Sequence, residues 1–366
     1  MVGGQYNEWD DDTNGNAESS RNAEWAAVSI RTVPQRRENW IEINAMFPVH
    51  SVAFTADGDH IVSGHFDEGR VRRWAVDSGK EVGTPLNVEA QRVVRKIAVT
   101  HDGEQVVSVA RNGRVTVWDA GRYKRTVKKF KAHNDGINVV DISPDTTTIA
   151  TGSEDCTATI WSFSTGERLL GPFEHDSEVT EVKFSPDGRL IATATSFGNS
   201  VRIYDGHTGS LLVDSSSLQV SSYGDIPLAW ASDSTQLFIL SPNSYIHCLD
   251  TFTRQTVSKW AIRCSGEPTG IALASNDAFL AVCDDSSEVS FWDTTTHNQI
   301  GGVVDHPAGI ASMAISANYD LVVGGGTEII LWDLLDVLPS PHSNNVSALA
   351  SKLQFHRSLV NYDPFS

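Results

Sequence analysis

The chain has 366 residues, of which 40% are apolar and 20% charged, and its 28 Lys and Arg against 46 Asp and Glu give a formal net charge of −18. A globular chain of this length buries about three quarters of its unfolded surface, so it folds without disulfides or metals. The acidic balance argues against a general nucleic-acid binder, because phosphate binding depends on clustered Lys and Arg.

The first 24 residues are rich in Asp, Glu, Gly, Asn and Ser and poor in aliphatic residues. Such a segment cannot bury enough apolar surface to offset the entropy that folding costs. We therefore predict a disordered acidic tail over 1–24, followed by a linker over 25–37.

The sequence becomes periodic from about residue 45. A short apolar stretch that closes on an aromatic residue or Leu recurs seven times, with the closing residues 40 to 45 positions apart: Trp74, Trp118, Trp161, Tyr204, Leu249, Trp292 and Trp332. A polar turn keeps the same step, from TADG at 55–58 to SANY at 316–319. Alternation of apolar and polar residues between the turns predicts antiparallel strands. The closing residues and the polar turns recur with the same spacing, which indicates seven copies of one all-β unit.

Trp-Asp pairs, or near matches to them, close five of these units: Trp118-Asp119, Tyr204-Asp205, Leu249-Asp250, Trp292-Asp293 and Trp332-Asp333. A His precedes the first strand of three units, at His133, His175 and His306. Over roughly residues 38–335 the chain resembles the WD40-repeat family. The resemblance implies a seven-bladed β-propeller with four antiparallel strands per blade. It also implies a non-catalytic platform that binds protein or peptide partners on the top face of the ring.

One segment before the repeats has no unit of its own. Residues 40–43, Trp-Ile-Glu-Ile, alternate like a strand, whereas the last unit runs into a Pro-rich stretch after Trp332. Donating the early strand to the last unit would cover two free sheet edges. We predict that this N-terminal strand closes the ring.

A basic segment stands out within this acidic chain. Residues 92–131 contain eleven Lys and Arg against three Asp and Glu, a net charge of 11 − 3 = +8. Its densest part is predicted to form the outermost strand of the second unit, where cations protect an exposed edge from aggregation: Lys124, Arg125, Lys128, Lys129 and Lys131. An acidic protein partner at this blade is the first alternative. Nucleic acid or nuclear import is the second, and it is weakened because only Tyr123 and Phe130 supply aromatic rings.

The family resemblance implies a hydrogen-bonded tetrad of His, Ser or Thr, Asp and Trp. Only the third unit supplies all four residue types at the matching places, as His133, Ser153, Asp155 and Trp161. We expect these residues to make the third blade the most regular of the seven.

Two charges interrupt a pattern of small residues on the inner strands. Five of the seven inner strands place Ala two positions before the following turn, and the exceptions are Asp141 and Lys183. These two belong to adjacent units and carry opposite charges, so we interpret them as a structural ion pair in the channel. A ligand site in the channel is the alternative.

Two units are longer between the second strand and the closing residue, and each places a Phe in the longer loop, Phe66 and Phe197. Together with Phe47 and Arg111 they are candidate anchors for a partner, because aromatic residues and Arg are enriched at binding hot spots. The alternative is that each ring folds onto its own blade to escape water.

The sequence contains no motif of a catalytic, cofactor-binding or metal-binding site. GxSxG, HExxH, the phosphate-binding loop and GxGxxG are all absent, and the four cysteines have no metal-ligand spacing. We therefore expect no cofactor, no catalysis and a reduced compartment, the cytoplasm or the nucleus. No stretch approaches the ~18 apolar residues of a membrane helix, so no membrane association is expected.

Two other functions remain open. A substrate receptor of a cullin-type ubiquitin ligase is one, although such receptors would carry Arg or Lys where this chain has Gly121, Thr295 and Leu335. A propeller enzyme with channel chemistry is the other. The preferred interpretation is a monomeric interaction scaffold over 38–335 within a larger complex. A C-terminal appendage over 336–366 is predicted to contain a short helix.

Overall fold

The computed structural model describes residues 40–338 apart from 68, 88–92, 121–127, 197–199, 215–225 and 319. The described residues belong to one compact unit, 37–366. The predicted tail, the linker and nearly all of the appendage lie outside the described residues, as do Lys124, Arg125 and Phe197. Within the described part, no helix has the length and apolar character needed to cross a membrane.

The strands of the described residues form seven four-stranded antiparallel sheets, which confirms the predicted propeller. From the channel outward, the strands of the first four blades are as follows. Blade 1 has β2 (Val49–Phe54), β3 (His60–His65), β4 (Arg70–Ala75) and β5 (Leu86–Asn87); blade 2 has β6 (Val94–Val99), β7 (Gln105–Ala110), β8 (Arg114–Asp119) and β9 (Lys128–Lys131). Blade 3 has β10 (Ile137–Ile142), β11 (Thr148–Ser153), β12 (Thr157–Ser162) and β13 (Arg168–Glu174); blade 4 has β14 (Val179–Phe184), β15 (Leu190–Thr195), β16 (Val201–Asp205) and β17 (Leu211–Asp214).

The remaining three blades follow the same order. Blade 5 has β18 (Leu228–Trp230), β19 (Gln236–Ser241), β20 (Tyr245–Asp250) and β21 (Gln255–Ala261); blade 6 has β22 (Pro268–Leu273), β23 (Phe279–Asp284), β24 (Glu288–Asp293) and β25 (Val304–Asp305). Blade 7 has β26 (Ile310–Ile315), β27 (Asp320–Gly325), β28 (Glu328–Asp333) and β1 (Trp40–Asn44), and a short helix α1 (Leu334–Val337) follows β28.

The N-terminal strand closes the ring, as predicted. β1 pairs antiparallel with β28, so that Trp40 lies opposite Trp332 and Ile43 opposite Ile329. Ile43 is buried with residues of blades 1 and 7, among them Val49. The first and last parts of the repeat domain therefore share one sheet.

The core consists of apolar layers between adjacent blades, and close packing between them requires small residues. In three blades, the second strand has a glycine at the point where it packs against the next blade. The residue it faces there is the first Val of that blade's inner strand. A Cβ atom on Gly152 would lie 2.6 Å from Val179 Cγ1, and one on Gly324 would lie 2.7 Å from Val49 Cγ1. Contacts this short exclude any side chain, so these glycines set the spacing between blades.

The antiparallel order defines two faces of the ring. Each inner strand starts on the face that we call the top face. That face carries the turns between second and third strands and the loops that enter the inner strands. The lower face carries the other two sets of turns. A binding residue on a loop or turn therefore lies on one of two separate surfaces, the top face or the lower face.

Candidate functional site

A buried hydrogen-bond network links the top face of blade 3 to its closing strand. His133 Nδ1 lies 3.0 Å from Asp155 Oδ2, and His133 Nε2 lies 2.7 Å from Thr151 Oγ1. Trp161 Nε1 donates to the same Thr151 hydroxyl at 2.8 Å. Since all these groups are buried or half-buried, each polar atom depends on its protein partner. The network ties the β11–β12 turn to the loop that enters β10.

The prediction that Ser153 joins this network between His and Trp is wrong, because Thr151 occupies that place. Ser153 Oγ donates to the carbonyl of Gly136 at 2.8 Å and accepts from the backbone N–H of Asp155 at 3.1 Å. Ser153 is the last residue of β11, at the turn, whereas Thr151 lies two residues earlier on the same strand face, within reach of the indole of Trp161.

The same mid-strand hydroxyl recurs in the first two blades. Ser63 accepts from Trp74 Nε1, and Ser108 accepts from Trp118 Nε1, each at 2.8 Å. In blade 1 the imidazole comes from the end of β3 instead of the entering loop. His65 Nε2 lies 2.8 Å from Ser63 Oγ. Sequence reasoning missed this histidine because it occupies the Ser153 position of its own unit.

Blade 4 keeps the histidine without a carboxylate partner. His175 Nε2 lies 3.3 Å from Thr193 Oγ1, while His175 Nδ1 is buried with no hydrogen-bond partner in the described part of the chain. Burial, followed by the positive charge of Arg202, lowers the pKa of His175 to about 4. Burial also lowers the pKa of His247, in the middle of β20, to about 4, with Lys259 acting in the same direction.

These two histidines predict a loss of stability on mild acidification. Their folded-state pKa values lie below the unfolded value of about 6.5, so the unfolded chain binds more protons between pH 6.5 and 4. The free energy of unfolding should therefore fall from pH 7 to pH 5, by up to about 1.4 kcal/mol per pH unit per histidine. Urea unfolding at both pH values measures it. His247→Gln should reduce the difference. An unchanged difference in His247→Gln would contradict this assignment.

A repeated bulge marks the top end of the channel. In six inner strands of the described chain, the pairing with the second strand shifts by one residue near the top face. The extra residues are His50, Arg95, Asn138, Thr180, Thr269 and Ala311. A bulge re-aims the side chain that it inserts. All six residues line the same central cavity.

That cavity has a volume of about 580 Å³ and receives residues from the inner strands of all seven blades. Its size falls within the range of small-molecule and side-chain binding pockets. Charged side chains on its wall include Lys96, Glu181 and Lys183. Within the described residues, no group of three or more His, Cys, Asp or Glu is arranged to hold a metal ion.

The channel charges pair differently from the prediction. Lys183 Nζ lies 3.6 Å from Glu181 Oε1, two residues earlier on the same face of β14. Asp141 Oδ2 accepts the backbone N–H of Phe184 at 2.8 Å and so ties blade 3 to blade 4. Asp141 and Lys183 therefore do not form the predicted direct ion pair, although the Asp141 carboxylate still attracts the Lys183 ammonium across the two blades. Burial raises the pKa of Asp141. Burial alone would lower the pKa of Lys183. The attraction of the Glu181 and Asp141 carboxylates is larger, so the pKa of Lys183 is raised.

The structure places three of the four predicted partner-binding residues on the top face. Phe47 lies between β1 and β2, Phe66 between β3 and β4, and Arg111 between β7 and β8. The Phe66 ring is half-buried, with its centroid 5.0 Å from that of His50, a cavity-lining residue. The guanidinium carbon of Arg72 lies 5.6 Å from the centroid of the half-buried Phe47 ring, and Arg111 is exposed. Phe66 therefore borders the channel mouth.

The basic outer strand is partly engaged with its own ring. Lys128 donates to the carbonyl of Ser164, and Lys131 Nζ donates to the carbonyl of Asn112 at 2.8 Å. Lys129, between them, is half-buried. Protection of an exposed edge by these cations stays a prediction.

Comparison with known proteins adds a family to this fold. The family model described as WD domain, G-beta repeat matches residues 124–162 and 167–205. WD repeat-containing protein 1 of Rattus norvegicus is 29% identical over 213 residues, which cover 56% of this chain and 34% of that protein. Actin-interacting protein 1 of Drosophila melanogaster is 27% identical over 258 residues, covering 68% of this chain and 39% of that protein.

A third relative is eukaryotic translation initiation factor 3 subunit I of Pyricularia oryzae, which is 34% identical over 123 residues, or 34% of each chain. The matched regions thus span only 34 to 39% of the length of these relatives. The repeat matches and the seven four-stranded blades lead to the same conclusion: the chain contains WD40 repeats and folds as a seven-bladed β-propeller.

Proposed function

We propose that this chain is a non-catalytic scaffold that binds protein or peptide partners at the top face. The observation that carries the proposal is the set of bulged residues that line one channel mouth, with Phe66 beside it and Arg111 in the next turn. A rigid closed ring presents these groups at fixed separations, which lowers the entropic cost of binding. Aromatic rings and Arg at a concave site are typical of interaction hot spots.

The relatives' names are consistent with such a role. One is named for interaction with actin, and another is a subunit of an initiation factor. We propose by analogy that this chain acts as one subunit of a larger complex, with partners of its own. Its four cysteines are free thiols, which is consistent with a place in the cytoplasm or the nucleus.

A double variant of the top face tests this proposal. Phe66→Ala with Arg111→Glu should abolish capture of partners from cell extract while the melting temperature stays unchanged, because neither side chain is fully buried. The matched control is Phe252→Ala with Arg189→Glu. Both residues lie in lower-face turns, and Phe252 is 93% exposed.

Quantitative mass spectrometry of captured proteins and thermal unfolding of each variant give the two readouts. Partners lost only from the top-face variant support the proposal. A fall in melting temperature with capture intact on the folded fraction would show that the Phe66 ring is structural. Equal capture of partners by the unchanged chain, the top-face variant and the control variant would exclude the top face as the binding surface.

A further inference from the structure

Most charges at the channel mouth are already neutralised within the ring. Arg95 Nη2 lies 2.6 Å from Glu154 Oε1 and bridges blades 2 and 3, and Arg95 Nη1 donates to Asn138 Oδ1 at 2.5 Å. Lys183 pairs with Glu181 on blade 4. These contacts satisfy each charge locally, so none of them needs a ligand.

Among the described cations that line this cavity, Lys96 is the exception, and one carboxylate on the same wall, that of Glu178, has no ion pair either. It lies in β6, directly after the bulged Arg95, and lines the cavity. Among the described residues, no acceptor lies within hydrogen-bonding distance of its Nζ, and no carboxylate oxygen lies within 4.0 Å. Burial lowers the pKa of Lys96, and the attraction of Glu181 does not offset it. A cation confined without a partner weakens the fold, and a bound anion would remove that cost.

The surface around Lys96 is the basic side of the mouth. Arg111 and Arg114, at the two ends of the β7–β8 turn of the same blade, are both exposed. At physiological ionic strength the remaining acidic surface is screened beyond about 8 Å, so the local charge governs close approach.

We propose that the channel mouth beside blade 2 binds an acidic peptide segment, one carboxylate of which enters the channel and accepts from Lys96 Nζ while a second pairs with Arg111 on the rim. This inference rests on the proposed function and specifies the chemistry of its partner. The cavity of about 580 Å³ admits a side chain or a short extended segment but not a folded domain. Phe66 and Phe47, half-buried on the same face, offer apolar contacts to the flanking residues, which a free anion would not use.

Charge-matched peptides provide the direct test. The probes are three fluorescein-labelled peptides, GSGEEEGSG, GSGQQQGSG and GSGKKKGSG, measured by fluorescence anisotropy with the full chain. Only the Glu peptide should bind, and more weakly as salt rises. Lys96→Met should weaken its affinity on the order of 30-fold, the effect of losing one confined charge pair. Lys129→Met, in the outer strand of the same blade, is the matched control and should bind like the unchanged protein.

Thermal unfolding separates a binding role from a structural one. Because Lys96 is unpaired, Lys96→Met should leave the melting temperature unchanged or raise it. Equal binding of the Glu and Gln peptides, or unchanged affinity in Lys96→Met, would overturn the proposal. Loss of affinity in Lys129→Met alone would place the binding site for the acidic peptide on the outer strand, which would also overturn the proposal. Sodium glutarate that binds as tightly as the peptide would show that the occupant is a free carboxylate.

The capture experiment distinguishes failure of the acidic-peptide inference from failure of the proposed function. In the extract capture experiment, Lys96→Met should lose the same partners as the Phe66→Ala, Arg111→Glu variant. Partners lost from the double variant but retained by Lys96→Met would contradict the acidic-peptide inference and leave the top-face scaffold intact. Partners retained by both variants would contradict the two proposals together.

Discussion

Removal of residues 1–44 is expected to abolish soluble folded protein, whereas removal of residues 1–24 should leave the melting temperature nearly unchanged. The longer deletion removes β1, the fourth strand of blade 7, and exposes the edge of β28 along its whole length. It also uncovers the apolar layer between blades 1 and 7, which includes Ile61 and Trp74. Open sheet edges next to apolar surface favour aggregation over folding.

A point substitution tests the same closure without shortening the chain. Ile43→Asp places a charge at a position that is 3% exposed, whereas Glu42→Gln on the opposite face of β1 is the matched control. We expect aggregation or a large fall in melting temperature for the first variant only. The measurements are the soluble yield and the thermal unfolding curve. Equal tolerance of both variants, or of both deletions, would contradict closure by β1.

Thr151→Val is expected to destabilise the chain by about 2–4 kcal/mol, because it leaves two buried nitrogens, His133 Nε2 and Trp161 Nε1, without their shared hydroxyl. The volume of the side chain is kept, so no cavity contributes. Ser108→Ala in blade 2 is the comparison, since it leaves only Trp118 Nε1 without its acceptor, at a cost of about 1–2 kcal/mol.

Chemical denaturation at pH 7 measures these differences. Asp155→Ala should also cost on the order of 1–3 kcal/mol, because the imidazole of His133 then loses its carboxylate. The two variants of blade 3 act on one network, so the double variant should cost less than their sum. Equal losses for Thr151→Val and Ser108→Ala would show that His133 gains nothing from the network.

The architecture was predictable because each repeat encodes its own strands and turns locally. The closing residues, six aromatic and one Leu, and the polar turns each recur seven times, and this count predicted the number of blades. The closing strand was predictable for a different reason. Residues 40–43 alternate without a unit of their own, and the last unit runs into a Pro-rich stretch after Trp332.

The side-chain partners were not predictable, because they depend on register and on neighbouring strands. Choosing between Thr151 and Ser153 requires knowing which residue of β11 lies under the ring of Trp161. The bulges likewise arise from pairing between strands, so nothing in the sequence of β6 alone aims Arg95 at the mouth. One available signal was overlooked. Glu181 and Lys183 alternate on one strand, and period-2 spacing already places them on the same face.

Hydrogen–deuterium exchange of the chain, alone and bound to a captured partner, tests most directly whether the top face is the binding surface. We predict slower exchange at the β1–β2 loop over 45–48 and at the β3–β4 and β7–β8 turns around Phe66 and Arg111. The lower-face turn over 251–254 should be unchanged. Protection confined to that turn, or to the outer strand β9, would contradict the account.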